Sequence, residues 1–502
     1  MTALHFRAMP RTIHKVGANE PCPCGRLKKY KDCCRGQVDW ETMPSERSDL
    51  AIRHLTTRGK NQLFMNLVLD ALQIDNESRV DLVNFKHAFT PSAVKKIYEA
   101  VLAVWPDGDD LKRVLREEAT ATSGLYIGQY EPGLIRRGVT RHSLYADRIL
   151  LVDPLVHPAK VRDEFNPLLH PEQHRTTTLR WISLWVELLP WINEGLIGFV
   201  RDPGDFYPEL MVNAIKKTEK LYDTNPELIK LREQEAGSLR HTDAYKEFLE
   251  WMVLSHSDDQ LRRDVRKFDP KASDELVEQV LADTRQRREA HPYFIEPMKA
   301  PSSELHMVSS GTNYELAKLI ALHTGSYLMT DLRPRWKEME LDRLKSDVQV
   351  AEWSPFAKAW QNLSFKFLDS VPLHAALAIR KKGRLDSLRL FLRKVWAATA
   401  KAEPFDEKNI PLLAAELGAK VREAEVEWTK IDRELLQMIA APATGGVLAA
   451  GPLIAAGCAA FVGAAAVLLG GLALAQSNKK RAEYKLTYPA GFFVDLEKGR
   501  YS

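Results

Sequence analysis

Hydrophobic and polar positions along the chain alternate mostly with helical period. Leu63, Phe64, Leu67, Leu69 and Leu72 start one amphipathic stretch. Thr90-Pro91 begins a second, with a threonine N-cap and proline at the first helical position. It runs through Val94, Ile97, Val101 and Val104 and stops before Pro106. A short helix is expected from Asp109 through Leu115. Two strand-like runs follow, Gly124 to Tyr130 and Arg148 to Val152, the second ending in Asp153-Pro154. Thr176 to Leu189 reads as a helix stopped by Pro190, and Leu196 to Val200 as a third strand. From Tyr207 to Arg288 the pattern is one of charged helices with thin apolar stripes such as Phe248, Trp251 and Met252. Asn313 to His323 is a helix capped by Gly325, and Ser326 to Thr330 a strand ending in Asp331. Helices resume from Trp336 to Leu344 and Phe356 to Trp396, and the last soluble helix spans Ile410 to Ile439.

The pattern then breaks. No charged residue lies between Glu434 and Lys479, and from Gly445 to Ala475 every residue is apolar, glycine, proline or cysteine. As one helix this stretch would be about 45 Å long, more than the ~30 Å hydrocarbon core. It reads either as a tilted span or hairpin in the inner membrane, or as a buried helical pair or subunit interface. Gly451, Gly457, Gly463 and Gly470 give the small surfaces on which helices approach closely. Lys479-Lys480-Arg481 would hold its exit on the cytoplasmic side.

The other end carries the sharpest motif. Four of the five cysteines fall in Pro21-Cys22-Pro23-Cys24-Gly25 and Cys33-Cys34. Thiolates this close repel one another unless a divalent ion, usually zinc, accepts all four. Between the pairs, Arg26, Lys28, Lys29 and Lys31 surround Tyr30. These residues resemble the SEC-C motif, the zinc tail of the Sec translocase motor. The resemblance implies one structural zinc on Cys22, Cys24, Cys33 and Cys34. It also implies a tip, Arg26 to Lys31, that docks a protein or ribosome, and a bacterial source. Arg26-Leu27 stand where that family commonly has Ser-Gly. The tip cations with Tyr30 also suit RNA phosphates and a stacked base.

The 502 residues carry 45% hydrophobic and 27% charged residues and a net charge of +4, an ordinary globular balance that does not itself call for nucleic acid. Clustered cysteines and the lack of an apolar leader run point to a cytoplasmic protein, with the inner membrane as its second address.

The expected architecture is mainly α-helical with a small central α/β portion, an N-terminal zinc knuckle and a C-terminal Ala/Gly-rich hydrophobic segment. Residues 1–20 form a basic arm, 21–40 the knuckle, 41–120 a helical part and 121–205 the α/β unit. Charged helices fill 206–300, a helical domain with one strand 301–440, the apolar segment 441–478 and a tail 479–502. No Walker A sequence, Gly-x-Ser-x-Gly, His-Glu-x-x-His or Gly-x-Gly-x-x-Gly occurs, which lowers the odds of the chemistries they serve.

A non-enzymatic interaction protein, acting at the membrane in stress or anti-phage defence, is the first expectation. A PIN-like nuclease holding Mg²⁺ on Asp153 and Asp331 is the enzymatic alternative. An oligomeric adaptor, packed through the apolar segment, is the third. His142, His157, His170 and His174 cluster in sequence but read as loop histidines, and Asp147 with Asp153 as a weak ligand pair. The tryptophans read as core.

Purified protein should carry one zinc per chain by elemental analysis, and Cys33→Ser with Cys34→Ser should lose it. Metal-free protein with all four cysteines intact would remove the zinc assignment.

Overall fold

A computed structural model describes residues 18–19, 29–32, 52, 55–74, 82–106, 123–128, 130–161, 163–231, 243–297, 313–324, 326–330, 332, 334–335, 337–338, 341, 368, 371–400 and 409–440. The fold is mostly helical around a small parallel sheet. Three helices come first: α1 (Thr57–Ala71), α2 (Leu82–Ala88) and α3 (Pro91–Val104). As the sequence predicts, the Thr90 hydroxyl caps α3 by accepting the Ala93 N–H at 3.2 Å.

Strand β1 (Ser123–Tyr126), helix α4 (Pro132–His142), β2 (Arg148–Val152), α5 (Arg175–Asn193) and β3 (Ile197–Val200) alternate next. Then come α6 (Pro208–Thr224), α7 (Asp243–Ser255), α8 (Asp258–Phe268) and α9 (Asp274–Ala290). Helix α10 (Tyr314–Thr324) leads into β4 (Tyr327–Met329), and α11 (Leu373–Lys381), α12 (Asp386–Ala400) and α13 (Asn409–Ala440) complete the described chain.

All strand pairings are parallel, in the order β3-β2-β1-β4. The α/β portion expected at 121–205 is therefore completed by β4, from the segment read as a helical domain. Each described strand residue of β1, β2 and β3 is buried, as in sheets covered on both faces.

The sequence expectation that Pro190 stops α5 is corrected: the helix continues to Asn193 with Pro190 inside it. Proline in the last turn forfeits only one backbone bond. The stop is Gly195, in the left-handed region at φ 73°. Its N–H reaches Ile192 O at 2.9 Å, and the Leu196 N–H reaches Trp191 O at 2.9 Å. That bond pair is a Schellman cap, which delivers the chain straight into β3.

One large core holds the sheet, α1 to α5 and α10 to α13 together. Trp105, Trp181, Trp185 and Trp191 lie in it, as their helical spacing predicts. Phe64 tilts against Trp105 and Trp185, and Trp185 stacks on Phe199 of β3 at 3.9 Å between ring centroids.

Tyr126 fills the step from β1 to α4. A Cβ on Gly128 would meet its hydroxyl at 2.0 Å, and one on Gly138 its ring at 2.4 Å, so both positions need glycine. The expected helix at Asp109 and the apolar stretch at 445–475 lie outside the described residues. Among those described, no helix is long and apolar enough to cross a membrane.

The edge of β3 is closed by a side chain. Asn61 of α1 donates to Phe199 O at 3.0 Å and accepts the Phe199 N–H at 2.8 Å, standing in for a neighbouring strand. Asn61→Ala strands both backbone groups in a buried place. It should cost about 2–4 kcal/mol in urea unfolding, and a loss below ~0.5 kcal/mol would show that the edge is not held this way.

Candidate functional site

The carboxyl ends of parallel strands are where open α/β sheets usually place chemistry. Asp153 directly follows β2, and Arg201 directly follows β3. The Asp153 carboxylate accepts from Arg201 Nη1 at 2.9 Å, from the Leu155 N–H at 3.0 Å and from Trp185 Nε1 at 3.3 Å. Arg201, 1% exposed, also grips Asp205 Oδ2 and donates to Leu155 O. Burial pushes the Asp153 carboxyl up, and Arg201 with its other donors draws it back.

A carboxylate enclosed this way reaches Mg²⁺ only by giving up Arg201. Its expected partner Asp331 lies outside the described residues. Asp147 pairs with Arg393 instead, at 2.8 Å. His157 bonds Trp105 O at 3.1 Å, His174 bonds Phe165 O at 2.8 Å, and His170 stands half-exposed 3.8 Å from Glu172. No group of three metal-capable side chains occurs among the described residues.

Sequence reading missed a second charged place. Between α4 and α5 on one side and α7 and the His291–Tyr293 turn on the other lies a narrow cleft, with room for little more than a water molecule. Arg136 of α4 forks between Glu187 of α5 and Glu247 of α7, each at 3.0 Å. Against the cost of burial, these two carboxylates push the Arg136 guanidinium further up. Arg180 of α5 pairs with Glu131 and lies 4.2 Å over the Trp251 ring. Burial moves Glu131 and Arg180 each toward neutrality, and each pulls the other back. The sequence signal was an arginine inside an apolar helix face, Arg180 between Leu179 and Trp181 and Arg136 beside Ile135.

Of the knuckle, the described part is its closure. The Lys31 N–H donates to Ala18 O at 3.0 Å, and Tyr30–Asp32 forms a 3₁₀ turn. Lys29 and Lys31 are exposed. Cys22 follows Ala18 by four residues and Cys33 follows Lys31 by two along the chain. The four thiols themselves, with Arg26, Lys28 and the glycines of 445–475, lie outside the described residues.

Comparison with known proteins bears on this end alone. The SEC-C motif matches residues 19–36. A stretch of 39 residues is 56% identical to the protein translocase subunit SecA of Treponema denticola, covering 7% of this chain and 4% of that one. A stretch of 25 residues is 72% identical to the SecA subunit of Geotalea uraniireducens, covering 5% of this chain and 3% of that one. No solved structure matches the chain.

Buried His142 and half-buried His291 give a pH dependence. Burial, helped by Arg141, pushes His142 down to about 3, and burial, helped by Arg180, pushes His291 down to about 4. Unfolded histidine titrates near 6.5, so below that pH the unfolded chain binds protons the folded chain refuses. Stability should be full above about pH 6.5 and fall toward pH 4, by up to ~1.4 kcal/mol per pH unit per histidine. Urea midpoints at pH 7, 6 and 5 read the slope. His291→Asn should flatten it, and an equal slope in that variant would contradict the assignment.

Proposed function

We propose that this chain is a bacterial interaction protein whose SEC-C-type zinc knuckle docks a protein or the ribosome, and whose apolar segment 445–475 then acts at the inner membrane. The observation that carries the reading is the match of residues 19–36 to the motif. It is supported by a backbone contact between Lys31 and Ala18, within the matched stretch or next to it, and by the exposure of Lys29 and Lys31. Zinc fixes the loop, and the tip cations Arg26, Lys28, Lys29 and Lys31 with Tyr30 meet an acidic surface on the partner. A stress or anti-phage setting suits a recognition element at one end and a charge-free stretch at the other. RNA is the weaker partner for the same tip. Self-association through Gly451, Gly457, Gly463 and Gly470 accompanies the membrane step.

A second reading, the Mg²⁺-dependent nuclease, is favoured by one observation. Parallel pairing sets the carboxyl ends of β2 and β4 on the same edge of the sheet, with β1 between them. Asp153 follows the first directly and Asp331 comes shortly after the second. Mg²⁺-dependent RNA or DNA cleavage that Asp331→Asn abolishes would move the chain to this class.

The test of the first reading is fractionation of cells expressing the full chain, with alkaline carbonate washing of the membranes and a ribosome gradient of the soluble part. Retention in the washed pellet, with leakage of dye-loaded liposomes, supports membrane action. Ribosome association lost in Cys33→Ser with Cys34→Ser supports docking. A fully soluble, stable multimer that neither binds ribosomes nor leaks liposomes would leave the adaptor reading in its place.

A further inference from the structure

Helices α7, α8 and α9 form an arm whose described buried apolar residues cluster apart from the main core. Trp251 and Leu254 cluster with Phe294, and Leu261, Val277 and Leu281 form a separate cluster with Val265 and Ala272. The arm is braced from within by Arg288, which donates to Leu254 O at 3.0 Å and to His256 O, and pairs with Asp258 at 2.6 Å.

Its described attachments to the body include a polar seam. Arg136 holds Glu247, Arg180 stacks on Trp251, and the Thr176 hydroxyl donates to Glu296 O at 2.8 Å while accepting the Glu296 N–H at 3.0 Å. Past α9 the chain returns to the main core through the partly buried Tyr293 and Ile295, which makes this return a natural pivot. A seam of ion pairs separates far more cheaply than an apolar interface, because water and other charges can replace each partner.

We propose that the arm is a hinged unit closed by its own Glu247, and that an acidic peptide segment of a partner opens it by taking Glu247's place on Arg136. The Arg136 guanidinium meets two carboxylates at once, Nη1 on Glu187 and Nη2 on both oxygens of Glu247 at 3.0 Å, and such charge-assisted bonds are strong enough for a carboxylate of another chain to compete for. Glu187 stays on the fork in both states, so Arg136 is never left uncompensated. Once the arm carries Glu247 and Trp251 away together, Arg180 loses the ring that covers it and is open to a second acidic side chain. The occupant is a carboxylate-bearing peptide because the groove copies the contact it makes with its own chain. The inference does not depend on the zinc knuckle or on the fate of 445–475.

The test uses the full chain and a fluorescein-labelled hexaglutamate peptide, read by anisotropy. Glu247→Gln removes the internal competitor and should tighten peptide binding about tenfold if the closed arm prevails roughly nine parts in ten. Adding Arg136→Gln to that variant should abolish the gain. A Glu247→Gln protein with unchanged affinity, or a gain that survives loss of Arg136, overturns the proposal. Hydrogen exchange on the unaltered protein gives a check that no variant can spoil. Amides of α8 and α9 should share an opening faster than that of α5, and hexaglutamate should speed it. Exchange of the arm only at the rate of α5 also overturns the hinge.

Discussion

The guanidinium of Arg201, shut away from water, is what the carboxyl end of the sheet is arranged around. A buried charge is tolerable only when paired and fully hydrogen-bonded. Here the pairing draws Asp153 from the end of β2, Asp205 from the turn after β3, and the Leu155 carbonyl into one network. Trp185 of α5 completes the hydrogen bonding of Asp153. Removing one partner of such a network typically costs about 3–5 kcal/mol, because the other charge stays behind. The network therefore fixes the register of the two strands on each other and of α5 across them.

The same economy is seen at the point where the strand order reverses, between β1 and β4. In other sheets of this kind that point receives the ligand. Here the Thr330 hydroxyl donates to Ile127 O, and the Tyr126 ring occupies the step into α4 between two glycines. A phosphate cradle needs that space and those backbone groups, and an aromatic ring already holds the space. The missing glycine-rich fingerprint in the sequence and the filled step in the structure are the same fact at two levels.

Much of this was legible from local pattern. Strand β2 was readable residue for residue, because Arg148 and four apolar residues run into Asp153-Pro154, and the Thr90-Pro91 start of α3 was readable from capping chemistry. Pro190 misled because a proline near the end of a helix and a proline that ends it look alike, whereas Gly195 carried the signal. Sheet order was not legible, since nothing in Ser326 to Thr330 says which strand it will pair with across so long a separation. Nor was the role of Asp153: an aspartate after a strand suits a metal ligand, a turn and an ion pair equally. Only the arginine that folds beside it decides which of these the carboxylate can serve.

The contrast between α13 and the arm bears on how a docking event could be felt elsewhere in the molecule. Helix α13, which precedes the charge-free stretch, buries Ala424, Trp428, Ile431 and Leu435 in the main core at helical spacing. Arg384 further ties it down through Glu427 and Glu434. Fully burying each of the three large side chains is worth about 1.5–3 kcal/mol, so exchanging one ion pair cannot detach this helix. Among the described side chains, α8 and α9 place no buried apolar residue in the main core, and the arm's charges face competitors of equal strength. Movement driven by carboxylates on a partner must then be taken up by the arm, while α13 stays rooted in the core.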